Sequence, residues 1–162
     1  MENLPLIAIA TILGMAVPLA VIDFREHRLP NRFTYPAIAV SILLVSIAGL
    51  TTSQLGRLAV ALAISVATWG IGYLLANFDG IGMGDVKLLT AINASVAWFS
   101  PIAVLVILAI GFSLASLVSL GLIALKRANL KTAIAMGPFL LFGFALVSAS
   151  LIEPVITEVA GS

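Results

Sequence analysis

Between Leu88 and Leu125 the chain carries no charged residue. As one helix this run would measure about 57 Å, nearly twice the roughly 30 Å hydrocarbon core of a bilayer. A stretch this apolar belongs in lipid, and this one has to turn within it. Ser100-Pro101 supplies the break, because proline disfavours helical backbone in the residue before it. The run therefore reads as two spans, the first unusually short.

The rest of the chain divides in the same way. Asn3 to Ile22, Phe33 to about Leu50, and Leu58 to Phe78 are long apolar stretches, and Thr132 to Ile152 forms a last one. Polar junctions separate them. The hydrophobic fraction is 62% and only 9% of residues are charged, against about 25% in a typical soluble domain. The expected fold is all-α: a polytopic integral membrane bundle of about six transmembrane helices. MENLP lacks the basic region of a secretory signal, so the first run is read as retained, and 1–162 as a single integral membrane domain. No internal repeat suggests an inverted-repeat transporter.

The basic residues orient the bundle. With six spans, the junctions 23–32, 79–87 and 126–131 share one face. They hold Arg25, Arg28, Arg32, Lys87, Lys126, Arg127 and Lys131, seven of the eight basic residues, while Arg57 lies opposite. The positive-inside rule makes the richer face cytoplasmic and places both termini outside. The implied location is the cytoplasmic membrane. A net charge of +1 without a basic run excludes nucleic acid as a partner and leaves the lipid bilayer. No cysteine is present, which removes disulfides, thiolate metal sites and a cysteine nucleophile. One histidine makes a histidine-based metal site improbable, and the pattern calls for no cofactor.

Against this apolar background, FDGIGMGDVKLL at 78–89 concentrates polar groups and glycines. Asp85 begins the fourth span and Asp23 ends the first, both on the cytoplasmic face. They stand 62 residues apart in sequence, yet bundling can unite them. Two carboxylates held close share a proton, so one activates water while the other polarises a peptide carbonyl. Gly80, Gly82 and Gly84 offer positive φ and leave room for an extended peptide to approach. A nucleotide loop is disfavoured, since no Gly-Lys-Ser/Thr ending follows. Each aspartate also has a structural reading, Asp85 as a helix N-cap and Asp23 as an interfacial stop. Lys87 suits an interfacial anchor or a group that tunes Asp85. Glu26, His27 and Asp79 read as solvated loop residues, and Glu153 and Glu158 as a solvated tail.

Two segments, IDFREHRLPNRFTYP at 22–36 and GMGDVKLLTAI at 82–92, resemble the signatures of the type IV prepilin peptidases, bilayer-embedded aspartic proteases. The second contains their Gly-x-Gly-Asp with a lysine two residues later, here Gly82, Gly84, Asp85 and Lys87. The first matches at Asp23, Arg25, Arg28 and Leu29-Pro30-Asn31, and Met136-Gly137-Pro138-Phe139-Leu140 is a softer third match. Gly-x-Gly-Asp alone is shared with presenilin-like proteases; the two segments together carry the likeness. The resemblance implies that Asp23 and Asp85 are the catalytic pair. Gly82, Gly84 and Lys87 would support them or the substrate's approach. It also implies prepilin-like membrane precursors as substrate, their basic leader cut at the cytoplasmic face. Long bacterial members carry an N-terminal Cys-x-x-Cys segment associated with zinc and N-methylation. This cysteine-free sequence instead resembles the short form of Flp/Tad pilus systems, with a peptidase and no methyltransferase expected.

Two rivals remain from the residues alone. A small proton-coupled transporter or channel would use both aspartates as a relay, but it predicts acids deep in the spans, and all seven here fall in junctions or ends. A scaffold with capping aspartates would tolerate Asp85→Asn. The topology is directly checkable, because single cysteines introduced into this cysteine-free chain are clean reporters. A membrane-impermeant maleimide added to intact cells should label Arg57→Cys and leave Arg127→Cys unlabelled; labelling of the second would invert the orientation.

Overall fold

The computed structural model describes residues 3–26, 29–78, 81–127 and 135–160, with backbone alone at 154–156 and 158–160. Every element among them is helical: α1 (Leu4–Glu26), α2 (Asn31–Thr51), α3 (Leu55–Asn77), α4 (Met83–Phe99), α5 (Pro101–Ala124) and α6 (Gly137–Ala160). Four of these, α1, α2, α3 and α5, are long and apolar enough to cross a bilayer, and α6 has a shorter apolar part, Gly137–Glu153. This is a helical membrane bundle.

The break inside the long apolar run falls where the sequence puts it. Ser100 caps α5, its Oγ accepting from the Ala103 N–H at 3.3 Å, and Pro101 takes the first position, where a missing N–H does no harm. Two boundaries differ from expectation. Helix α1 runs through Asp23 to Glu26, so the carboxylate sits within a turn and is not its stop. Helix α6 continues beyond Ile152, which makes the expected tail helical, with Glu153 exposed. His27, Arg28, Asp79, Gly80, Lys131 and the Glu158 side chain lie outside the described residues.

Helix α4 is the axis of the bundle. At 17 residues it is about 25 Å long, shorter than the bilayer core. Every residue from Val86 to Trp98 is buried, and all five other helices pack on it. That burial explains how it carries Lys87, Thr90, Asn93 and Ser95 at membrane depth, since these side chains meet protein and not acyl chains. The Thr90 hydroxyl donates to the Val86 carbonyl at 2.8 Å, and the Asn93 amide to Thr68 Oγ1 of α3 at 2.8 Å. The outer helices show the opposite pattern. Val17, Leu43, Val66, Ile102, Leu105 and Leu117 are exposed, which suits lipid and not water.

Small residues set the helix spacing, as in membrane bundles generally. A Cβ on Gly72 of α3 would lie 2.5 Å from Val86 Cγ1, and one on Gly111 of α5 would lie 2.7 Å from Leu140 of α6. Gly70 faces open space on the same helix as Gly72. Gly72→Val should therefore lower the melting temperature of the purified protein, by the equivalent of about 1–3 kcal/mol of overpacking. Gly70→Ala should leave it unchanged or slightly higher. Equal melting of the two variants would refute this account of the α3–α4 contact.

Candidate active site

Pro30 and Gly82 start the two helices that build one wall. Each sits in extended backbone, with φ −66° and ψ 132° for Pro30 and φ −66° and ψ 134° for Gly82. Both helices are therefore entered through the same local backbone conformation. Gly84, inside the first turn of α4, lies against Leu29 just before α2. A Cβ there would meet Leu29 Cβ at 2.8 Å and its N at 3.1 Å. No described glycine has positive φ. The expected conformational freedom of Gly82 and Gly84 is thus corrected: Gly84 is small so that the α2 entrance can close on α4. Gly80 lies outside the described residues.

A cavity of about 390 Å³ opens between these segments, lined by Asp23, Leu29, Asn31, Gly82, Met83, Gly84, Asp85 and Lys87. It brings together all five residues singled out from the sequence. Both carboxylates face it, close enough that the charge on Asp23 bears on Asp85. Their settings differ. Asp23 is 4% exposed, and its Oδ2 accepts the Gly137 backbone N–H at 3.0 Å. Asp85 is half-buried, and its Oδ1 is buried with no hydrogen-bond partner. Gly82 occupies the N-cap, without a side-chain cap, so Asp85 is the third helical residue and the N-cap reading is overturned.

Lys87 is no interfacial anchor. It is 8% exposed, donates from Nζ to Asn31 Oδ1 at 2.6 Å, and lies 4.4 Å from the Tyr35 ring centroid. An ammonium so enclosed needs this acceptor and the ring's electron-rich face. Asn31, Tyr35 and Gly137 are the site residues that sequence reasoning gave no role. All three stand inside the quoted segments, but nothing in their spacing says what they touch.

Lengthwise membrane helices that close a two-carboxylate cavity at one end of the bundle define a polytopic membrane protein of a recognisable kind. A model of the type IV leader peptidase family matches residues 7–125. The chain belongs to that family. It is 32% identical over 128 residues to the prepilin leader peptidase/N-methyltransferase of Escherichia coli K12, covering 77% of this chain and 55% of that protein. It is also 32% identical over 130 residues to the leader peptidase HopD of Escherichia coli, covering 78% and 81%. The Aeromonas hydrophila prepilin leader peptidase/N-methyltransferase is 30% identical over 128 residues, 76% of this chain and 42% of that one. The chain thus spans about half the length of the relatives named for both activities, and most of the length of the relative named for one. No solved structure matches it.

The Lys87–Asn31 contact predicts an asymmetry. Asn31→Leu strands a buried ammonium, whereas Lys87→Met removes the charge together with its need for a partner. Asn31→Leu should therefore depress the melting temperature more than Lys87→Met. The reverse order would mean that Lys87 finds another acceptor.

Proposed function

We propose that this protein is an aspartic endopeptidase of the cytoplasmic membrane that removes the leader from type IV pilin-like precursors. The observation that carries the reading is that Asp23 and Asp85, from helices far apart in sequence, line the same cavity at one end of the bundle. Membership of the leader peptidase family supports it, as does the HopD relative, which the chain covers over four-fifths of its length.

The chemistry follows from the pair. A water held between the carboxylates loses a proton to one as its oxygen attacks the scissile carbonyl carbon. The other carboxyl donates its proton to the carbonyl oxygen. The resulting tetrahedral diol collapses: the C–N bond breaks, the amine leaves with a proton from one carboxyl group, and the new acid terminus forms. The two groups act as one titrating unit, with neither assigned as acid or base. The unpartnered Asp85 Oδ1 suits such a role, being a buried oxygen with bonding capacity to spare. A cavity of this size accommodates a short stretch of peptide.

A cytoplasmic site is supported by the basic residues gathered in the junctions at that end, seven of the eight in the chain. A precursor helix lodged in the bilayer would present its leader there. The reading covers the peptidase alone, since the relatives named for N-methylation as well are matched over only about half of their length.

The test is co-expression with a Flp-type prepilin, trimming being read by gel shift. Wild type should remove the leader, and Asp23→Asn and Asp85→Asn should each lower the rate by at least about 100-fold at equal protein level, since each amide removes half of the acid–base pair. Trimming by both variants would leave the aspartic mechanism without support. A proton flux lost in the same variants, with no trimming by wild type of any prepilin tried, would favour the relay.

A further inference from the structure

Asp23 and Gly137 are 114 residues apart, and the fold joins them through one buried hydrogen bond. The neighbours of Gly137 make this contact specific. Pro138 has no N–H, and the Phe139 and Leu140 N–H groups both donate to the Met136 carbonyl, at 3.1 and 3.2 Å. The Gly137 N–H is thus the donor that the first turn of α6 turns towards α1. Its partner leaves no room for a side chain. A Cβ at 137 would lie 2.6 Å from Asp23 Oδ2, 3.2 Å from its Cγ and 3.5 Å from its Cβ, so the three nearest atoms all belong to Asp23. Since no described glycine has positive φ, conformation does not demand glycine here; the approach of the carboxylate does. Asp85 has no such tether at Oδ1.

We propose that Gly137 is a positioning residue for the reaction: the α6 backbone clamps Asp23 through its Oδ2, and the missing side chain at 137 lets the carboxylate sit where it faces Asp85. This rests on reading Asp23 as one of the two reacting groups. The clamp fixes one carboxylate to the rigid start of a helix and leaves the other to adjust to water and substrate. It also explains, from geometry, why α6 belongs to the catalytic unit although it contributes no acid to it.

The experiment uses the full chain in detergent or nanodiscs, with Gly143→Ala as the control. Gly143 is another closely packed α6 glycine, its would-be Cβ lying 3.0 Å from the Ile107 carbonyl, away from the cavity. Gly137→Ala should cut prepilin about 100-fold more slowly, the loss that a misplacement of about 1 Å can cause. Its melting temperature should stay near that of Gly143→Ala, which should keep cutting. A structural role alone would not move the second readout, carbodiimide-driven amidation of Asp23 and Asp85 followed by mass spectrometry. The Asp23-to-Asp85 labelling ratio should rise in Gly137→Ala and stay at the wild-type value in Gly143→Ala. Should Gly137→Ala not fold, hydrogen exchange at the Gly137 amide decides. In Asp23→Ala it should quicken by about tenfold or more, because its acceptor is gone. An unchanged labelling ratio, or unchanged exchange, overturns the clamp. Loss of cleavage in Asp23→Asn with full cleavage in Gly137→Ala removes this proposal alone, whereas cleavage by Asp23→Asn removes the aspartic reading first.

Discussion

A short helix with polar side chains has nowhere to go in a bilayer except inside other helices, and the architecture depends on that constraint. Helix α4 is about 25 Å long and carries a lysine, a threonine, an asparagine and a serine among its buried residues. In acyl chains each would lack partners, at a cost of several kcal/mol for the charged one. Surrounded by α1, α2, α3, α5 and α6, they are sheltered by protein. The longer outer helices can then present almost pure hydrocarbon to lipid. The cavity lies at one end of the bundle, where the start of α4 meets the end of α1 and the entrance to α2.

The helices around that cavity are held close by groups that enter the space glycines leave. Gly72 admits Val86, Gly84 admits Leu29, and Gly137 admits the Asp23 carboxylate. The first draws α3 onto the start of α4, the second closes the entrance to α2, and the third brings α6 onto α1. Each contact tolerates little beyond a hydrogen at the glycine, so a side chain added at any of the three would push neighbouring helices apart. Lys87 adds a polar strut across the same wall, holding Asn31 at the start of α2 and lying on the ring of Tyr35 one turn further in.

The two carboxylates are consequently unlike. One is nine-tenths buried and hydrogen-bonded to backbone; the other is half-buried with an oxygen left unpartnered. Under the proposed mechanism, in which the pair holds one proton, such inequality would give each group a different freedom to move. The chain's membership in the type IV leader peptidase family gives this two-carboxylate cavity its functional context.

Charge spacing and apolar run length determined much of this in advance. They gave a membrane bundle of six helices, the break at Ser100-Pro101, and two aspartates on one face, because lipid imposes its demands residue by residue along the chain. The cavity-lining five, Asp23, Gly82, Gly84, Asp85 and Lys87, were legible for the same reason: polar groups and glycines stand out where nearly everything else is apolar. Their roles were less so. Lys87 reads as an anchor at an interface until Asn31 and Tyr35 enclose it, the capping alternative for Asp85 stands until Gly82 takes that position, and Gly137 is only part of a soft motif match in the last span until Asp23 reaches it. These are contacts between helices, and no periodicity along one helix encodes the angle and depth at which it meets another. The sequence determined which polar residues and glycines gather at one end of the bundle; only tertiary packing decided which of them touch, because that depends on the angle and depth at which separate helices meet.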